Sequence, residues 1–198
     1  MDGHPHVVRL LTLLALFALP PFAGVAQTKS SRGVHSAVIS LPQGAMTPIP
    51  SPDRNWTLIF EFPDVYKARK LWIQSKGSNE PRLVREFERS LDISWSPDSR
   101  HFFVNDASGS NETFCYVYDP ETLKAIDVLE LLGAGRGKVR KFEADHFYIE
   151  AKHWVGSHQL LVTVMGYLSS TPPRPGFEGT YRIDLKGSVR TLHEGYWH

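Results

Sequence analysis

The chain contains one cysteine in 198 residues, so no internal disulfide can form and the fold must rest on burial and hydrogen bonding. Phe114 and Tyr116, the neighbours of Cys115, offer no cation that would stabilise a thiolate. Cys115 therefore reads as a small buried strand residue. An excess of either charge is also lacking. Lys plus Arg number 22 against 21 Asp plus Glu, a formal charge of +1, which gives no basic field to recruit nucleic acid or anionic lipid. Any partner must be recognised by local shape. The nine histidines are scattered between His4 and His198 and form no dense tract. No Gly-x-Ser-x-Gly nucleophile elbow occurs, which argues against a serine hydrolase. Gly133-Ala134-Gly135-Arg136-Gly137-Lys138 has the glycines and lysine of a phosphate loop but neither its spacing nor a Ser or Thr after the lysine. It is expected to be a flexible connection. No cofactor is expected.

Long apolar runs are missing too, with one short exception. Arg9 precedes the apolar residues 10 to 19, Pro20 and Pro21 then break any helix, and Gly24-Val25-Ala26 places small residues where a signal peptidase reads. Residues 1–26 are thus expected to be a signal peptide cleaved after Ala26, the apolar run being well short of the ~20 residues that a membrane-spanning helix needs. Export to the periplasm or the cell exterior follows, with no stable membrane insertion after cleavage. Asn55-Trp56-Thr57 and Asn111-Glu112-Thr113 match the glycosylation acceptor pattern, which matters only in a eukaryotic secretory pathway, and both are taken as chance matches.

What is present is an ordinary globular composition, 41% hydrophobic and 22% charged, sufficient for one cored domain. Residues 27–47 read as a polar leader followed by a lone strand at Val34, Ala37, Val38, Ile39 and Leu41. Pro42, Gly44, Pro48, Pro50 and Pro52 then punctuate the chain.

The most informative signal is an internal repeat. Ser51-Pro52-Asp53 precedes the apolar run at Trp56, and Ser96-Pro97-Asp98-Ser99 precedes the one at His101; the two aspartates lie 45 residues apart, a period typical of stacked supersecondary units. Each copy continues with two more strand-like runs, at Lys70-Leu71-Trp72-Ile73 and Pro81 to Arg85 in the first, and at Phe114 to Asp119 and Ala125 to Leu129 in the second. Four short strands per unit is the pattern. In the turn between the first two, proline presets φ at the second position, while Ser and Asp side chains can bond local backbone N–H groups. Ser51, Pro52, Asp53, Ser96, Pro97, Asp98 and Ser99, with Trp95 just before the second turn, are accordingly assigned a structural role. A third unit has Trp154-Val155-Gly156-Ser157 in place of the motif, with strands at residues 159 to 165, 180 to 184 and 188 to 193.

Ile93-Ser94-Trp95-Ser96-Pro97-Asp98-Ser99, followed by Phe102-Phe103-Val104, resembles the Trp-Ser-Pro-Asp repeat of TolB-like β-propellers, also called WD40-like or PD40 repeats. In the first copy Pro50 stands where the tryptophan would be. The resemblance covers residues 48–198 and implies an all-β partial β-propeller of about three four-stranded antiparallel blades, in units at about 48–90, 91–132 and 147–198. Since rings of this kind commonly have about six blades, the three units are expected to form either a partial fan or part of a ring that a partner completes. Two answers exist for the terminal faces. Residues 34–41 and 129–147 could fold over them as caps, or two chains could share them in a two-fold homodimer, the arrangement favoured by the blade count.

For chemistry, His146, His153 and His158, with Asp145 and Glu150, are the candidate metal ligands, although the His-Glu-x-x-His spacing is absent. Trp72, Trp95 and Trp154 are expected to fill space between sheets. The proline-rich stretch 169–176 is expected to be a stiff exposed loop able to carry binding. The leading functional expectation is a non-enzymatic module that binds a protein or glycan through loops on one rim. The alternative is a metal-dependent hydrolase or lyase built on the segment from His146 to His158.

Overall fold

The computed structural model describes residues 37–41, 48–62, 68–135, 145–169 and 176–197, all within one compact unit, Gly33–His198. The signal peptide and polar leader read from the sequence lie outside the described residues, as do residues 136–138 of the glycine-rich connection and the prolines at 172, 173 and 175.

The molecule is mostly β and its strands pair antiparallel with one exception. A four-stranded sheet runs β2 (Ile49–Pro50), β3 (Trp56–Glu61), β4 (Arg69–Ser75), β5 (Arg82–Phe87) in chain order. A second meander follows, β6 (Ser90–Trp95), β7 (Phe102–Ala107), β8 (Glu112–Tyr118) and β9 (Ala125–Asp127). After helix α1 (Val128–Gly135) comes a third, β10 (His146–Trp154), β11 (Gln159–Tyr167), β12 (Gly176–Asp184) and β13 (Val189–Trp197). The N-terminal β1 (Ile39–Leu41) pairs with the free edge of β6.

The alternation of side chains along the middle meander explains the stacking. Leu91, Ile93, Trp95, Phe102, Val104 and Tyr118 fall on one face and form a core with Leu58, Phe60, Leu71, Ile73 and Phe87 of the first sheet. Phe103, Cys115 and Val117 fall on the other and pack with Ile149, Trp154, Leu160, Val162 and Tyr181 of the third. Strand β7 is covered on both sides, and Phe102 through Asp106 are all buried. Its continuous apolar run, rather than an alternating one, is what a doubly covered strand requires.

Three features depart from the sequence reading. The fourth strand of the second unit, expected over residues 125–129, stops at Asp127, whose Oδ1 accepts the Leu129 N–H at 2.8 Å and so caps α1. The three-residue β9 covers only Tyr116 to Tyr118 of β8, leaving the edge at Glu112 and Thr113 open. The start of β10 occupies it in a short parallel pairing, Phe147 with Glu112 and Tyr148 with Thr113. Second, the described parts of the segments expected to cap the terminal faces, 37–41, 129–135 and 145–147, do other work. β1 extends a sheet edge, burying Leu41, and α1 inserts Val128 and Leu132 into the core between the second and third sheets. Third, Trp72 is not between sheets. Leu71 and Ile73 take the inner face of β4, so Trp72 stands on the outer one, donating its Nε1–H to Glu61 Oε2 at 2.8 Å.

Candidate functional site: the cleft at the repeat turns

Both Ser-Pro-Asp turns are built from the same bonds. Ser51 Oγ donates to Asp53 Oδ1 at 2.6 Å and accepts the Trp56 N–H at 3.0 Å; Ser96 Oγ donates to Asp98 Oδ1 at 2.7 Å and accepts the His101 N–H at 3.0 Å. Each aspartate Oδ1 then accepts the N–H two residues on, from Asn55 at 3.0 Å and Arg100 at 3.2 Å. Each turn closes with a backbone bond from its fourth residue to its first, Arg54 to Ser51 at 2.9 Å and Ser99 to Ser96 at 3.0 Å. Arg54 and Ser99 both sit at positive φ, 60° and 64°. The third unit, lacking the motif, turns in one residue fewer through Gly156 at φ 75°, with Val155 N–H bonded to Gln159 O at 2.7 Å.

The turns are joined to one another. Asp53 N–H donates to Ser99 Oγ at 3.0 Å, placing the first turn beside the second. Tryptophan Nε1 groups do the same for the strands before them. Trp95 reaches back to Ile49 O at 3.4 Å, and Trp154 to Ser94 O at 3.1 Å, each from the end of one unit's first strand to the first strand of the preceding unit. Pro50 replaces the tryptophan in the first unit, where the described residues include no preceding sheet to anchor upon.

Between the first two turns and the β8–β9 turn lies a cleft of about 380 Å³, lined by Asp53, Trp56, Asp98, Arg100, His101, Asp119 and Glu121. Asp119 Oδ1 accepts the N–H groups of Glu121 and Thr122 at 2.9 and 2.8 Å. Burial alone would raise the Asp119 pKa, but those donors and nearby His101 hold it below the ordinary carboxylate value. The Ser51 hydroxyl and the Asn55 N–H lower Asp53 likewise. Desolvation pushes the His101 pKa down against the pull of Asp98 and Asp119. The cleft is therefore acidic. Arg82 braces two of the lining residues, its guanidinium lying over the Trp56 ring at 5.6 Å and donating to Pro120 O and Glu121 O at 2.6 and 2.7 Å. Asp98 Oδ2 lies 3.9 Å from exposed Arg100 Nε.

The histidines proposed as metal ligands are not brought together. His146 opens β10 and His158 lies beyond its end, so roughly 25 Å or more of strand separates them. His146 stacks on Tyr167 at 4.5 Å, while His158 Nε2 lies 3.5 Å from Asp184 Oδ2. A register shift between Ala151 and His153 pairs His153 with Leu161, seven residues along β10 from His146. Among the described residues no three His, Cys, Asp or Glu side chains are grouped to hold a metal. Cys115 is buried, and desolvation pushes its thiol up to about 12.

Sequence reasoning passed over two polar residues inside the buried β7. Asn105 Nδ2 donates to Ala151 O and its Oδ1 accepts the Ala151 N–H, both at 2.9 Å, so a side-chain amide replaces a missing strand partner for β10. Asp106 accepts from Arg85 Nε at 2.6 Å, and Arg85 also donates to Tyr118 Oη at 3.1 Å and lies over the Tyr116 ring at 4.1 Å. The available signal was two polar residues closing an otherwise apolar run.

No family model matches the sequence, and no curated protein matches it. Among solved structures the chain is similar to TolB from Acinetobacter baumannii, at 12% identity and a TM-score of 0.38, over 73% of this chain and 31% of that one. It is similar to one of two prolyl endopeptidases at 15% identity and 0.38, over 74% and 28%, and to a Mycobacterium tuberculosis puromycin-hydrolysing peptidase at 13% and 0.27, over 76% and 29%. The chain spans less than a third of the length of each of these proteins.

Proposed function

We propose that this chain is an exported, non-enzymatic binding module, a three-bladed fan of propeller type that takes a polypeptide partner at the cleft between its repeat turns. The observation carrying this reading is the use of the cleft carboxylates. Turn formation occupies Oδ1 of Asp98 and of Asp119, while Asp98 Oδ2, whose ion-pair partner Arg100 is itself exposed, and the carboxylate of Glu121 line the cleft for a ligand. An acidic hollow with the indole of Trp56 in its wall suits a lysine or arginine side chain presented by an extended segment. The signal-like N-terminus supports action outside the cytoplasm.

Substituting Asp98→Asn, Asp119→Asn and Glu121→Gln together keeps the turn-forming acceptors and removes the charge. Recovery of a cross-linked partner from the native envelope fraction is expected to fall at least tenfold with this variant at unchanged thermal stability. Equal recovery by the neutralised protein would sink the proposal.

The outer sheet faces favour a fan that stands alone over a ring shared by two copies. On the first sheet Trp72 lies between Ile59 and Leu83 with Glu61, Lys70 and Gln74 beyond them, Glu150, Lys152 and Glu178 stud the third, and such charges are costly to bury between sheets. β1 also takes the edge of β6 that would line a central channel. Light scattering at micromolar concentration is expected to give the mass of one mature chain; twice that mass would restore the ring.

A further inference from the structure

The outer face of the third sheet carries a second hollow, of about 410 Å³, that the rim cleft does not touch. Strand register explains its shape. Glu150, Thr163, Thr180 and His193 form one row across β10, β11, β12 and β13, and Tyr148, Met165, Glu178 and Gly195 form the next. Two short threonines therefore make a floor between longer side chains. Lys152 stands at one end, ion-paired with Glu150. Tyr148 stands at the other, and beyond it an aromatic ladder continues along the same face. His146 and Tyr167 are paired across the strands and stacked 4.5 Å apart at 8°, and Tyr148 lies 6.3 Å from Tyr167.

We infer that this trough is a binding site for a neutral oligosaccharide. Its size falls within the range of small-ligand sites, and it combines the two features that sugar recognition needs. One is an aromatic wall, against which the apolar face of a pyranose ring can pack. The other is a dense set of hydroxyl and carboxylate groups from Thr163, Thr180, Glu150 and Glu178, able to accept and donate hydrogen bonds to ring hydroxyls. Charge argues against other small ligands. Lys152 is paired with Glu150, and Glu178 faces His193 Nε2 at 3.4 Å, so among the described residues lining the hollow no unpaired cation awaits a phosphate or nucleotide. The length of the ladder beyond the trough suits a chain of several sugar units rather than a monosaccharide.

Saturation-transfer NMR on the full chain with cellotetraose, maltotetraose and N-acetylchitotetraose tests the assignment. At least one is expected to bind, with transfer to its ring protons. Thr180→Val, which removes one hydroxyl at constant shape, is expected to weaken that binding roughly three- to tenfold, the worth of one hydrogen bond. Tyr148→Ala is expected to weaken it further, and circular dichroism of both variants should match that of the native chain. Absence of transfer from all three tetrasaccharides up to about 10 mM overturns the assignment. So does binding that neither variant alters.

Discussion

The junction between the first and second sheets and the junction between the second and third use the same repeat but different locks. At the first, an apolar core and the neutral bonds of Trp95 to Ile49 and of Asp53 to Ser99 are joined by a part-buried ion pair, Asp106 with Arg85, whose guanidinium also reaches Tyr116 and Tyr118. At the second, the polar contacts are neutral: the Asn105 amide on Ala151 and the Trp154 indole on Ser94, supplemented by α1 and the β8–β10 pairing. Adjacent residues of β7, Asn105 and Asp106, thus face opposite ways and set opposite strategies. A neutral amide satisfies buried backbone without desolvating a charge, whereas the ion pair links sheets at the cost of burying a carboxylate.

Breaking the neutral lock should have the largest effect. Trp154→Ala removes a fully buried ring and its bond to Ser94, and is expected to cost about 3–5 kcal/mol. Asn105→Ala at the same junction leaves the Ala151 amide and carbonyl without partners, for about 1–3 kcal/mol. Denaturant unfolding followed by tryptophan fluorescence measures both. A Trp154→Ala cost below that of Asn105→Ala would mean that the indole does not anchor the third sheet.

The charged lock should show in pH dependence rather than in the level of stability. Burial raises the Asp106 pKa despite the neighbouring Arg85, so the protonated carboxyl favours the fold. Its contribution is full below the unfolded value of 3.8 and is lost as pH rises through the folded value. Asp53, Asp119 and Asp184 run the other way, being lowered by their hydrogen bonds, and lose their contribution as pH falls. Asp106→Asn is therefore expected to gain stability relative to the native chain as pH is raised from about 4 to 7. Parallel melting curves over that range would show that the carboxyl titrates alike in folded and unfolded chains.

The turns were legible because their determinants are local. Ser51, Asp53, Ser96 and Asp98 bond groups no more than five residues away, and that chemistry is written in the motif. The alternation of apolar residues likewise marked the strands. The spread of the histidine segment was not legible because proximity in sequence is not proximity along an extended strand, where each residue adds about 3.3 Å. The end of β9 was missed because Val128 and Leu129 suit strand and helix alike, and the Asp127 cap decides between them.

The sequence by itself determined the repeat, the form of its turns and the two-faced strands, since each follows from side chains acting on their near neighbours. Tertiary structure alone decided how the units join. Asp53 to Ser99, Asn105 to Ala151 and Trp154 to Ser94 span 46, 46 and 60 residues, and the edge that β10 takes on β8 exists only because β9 stops short. Contacts of that separation depend on which faces and edges folding leaves open, and local pattern does not encode them.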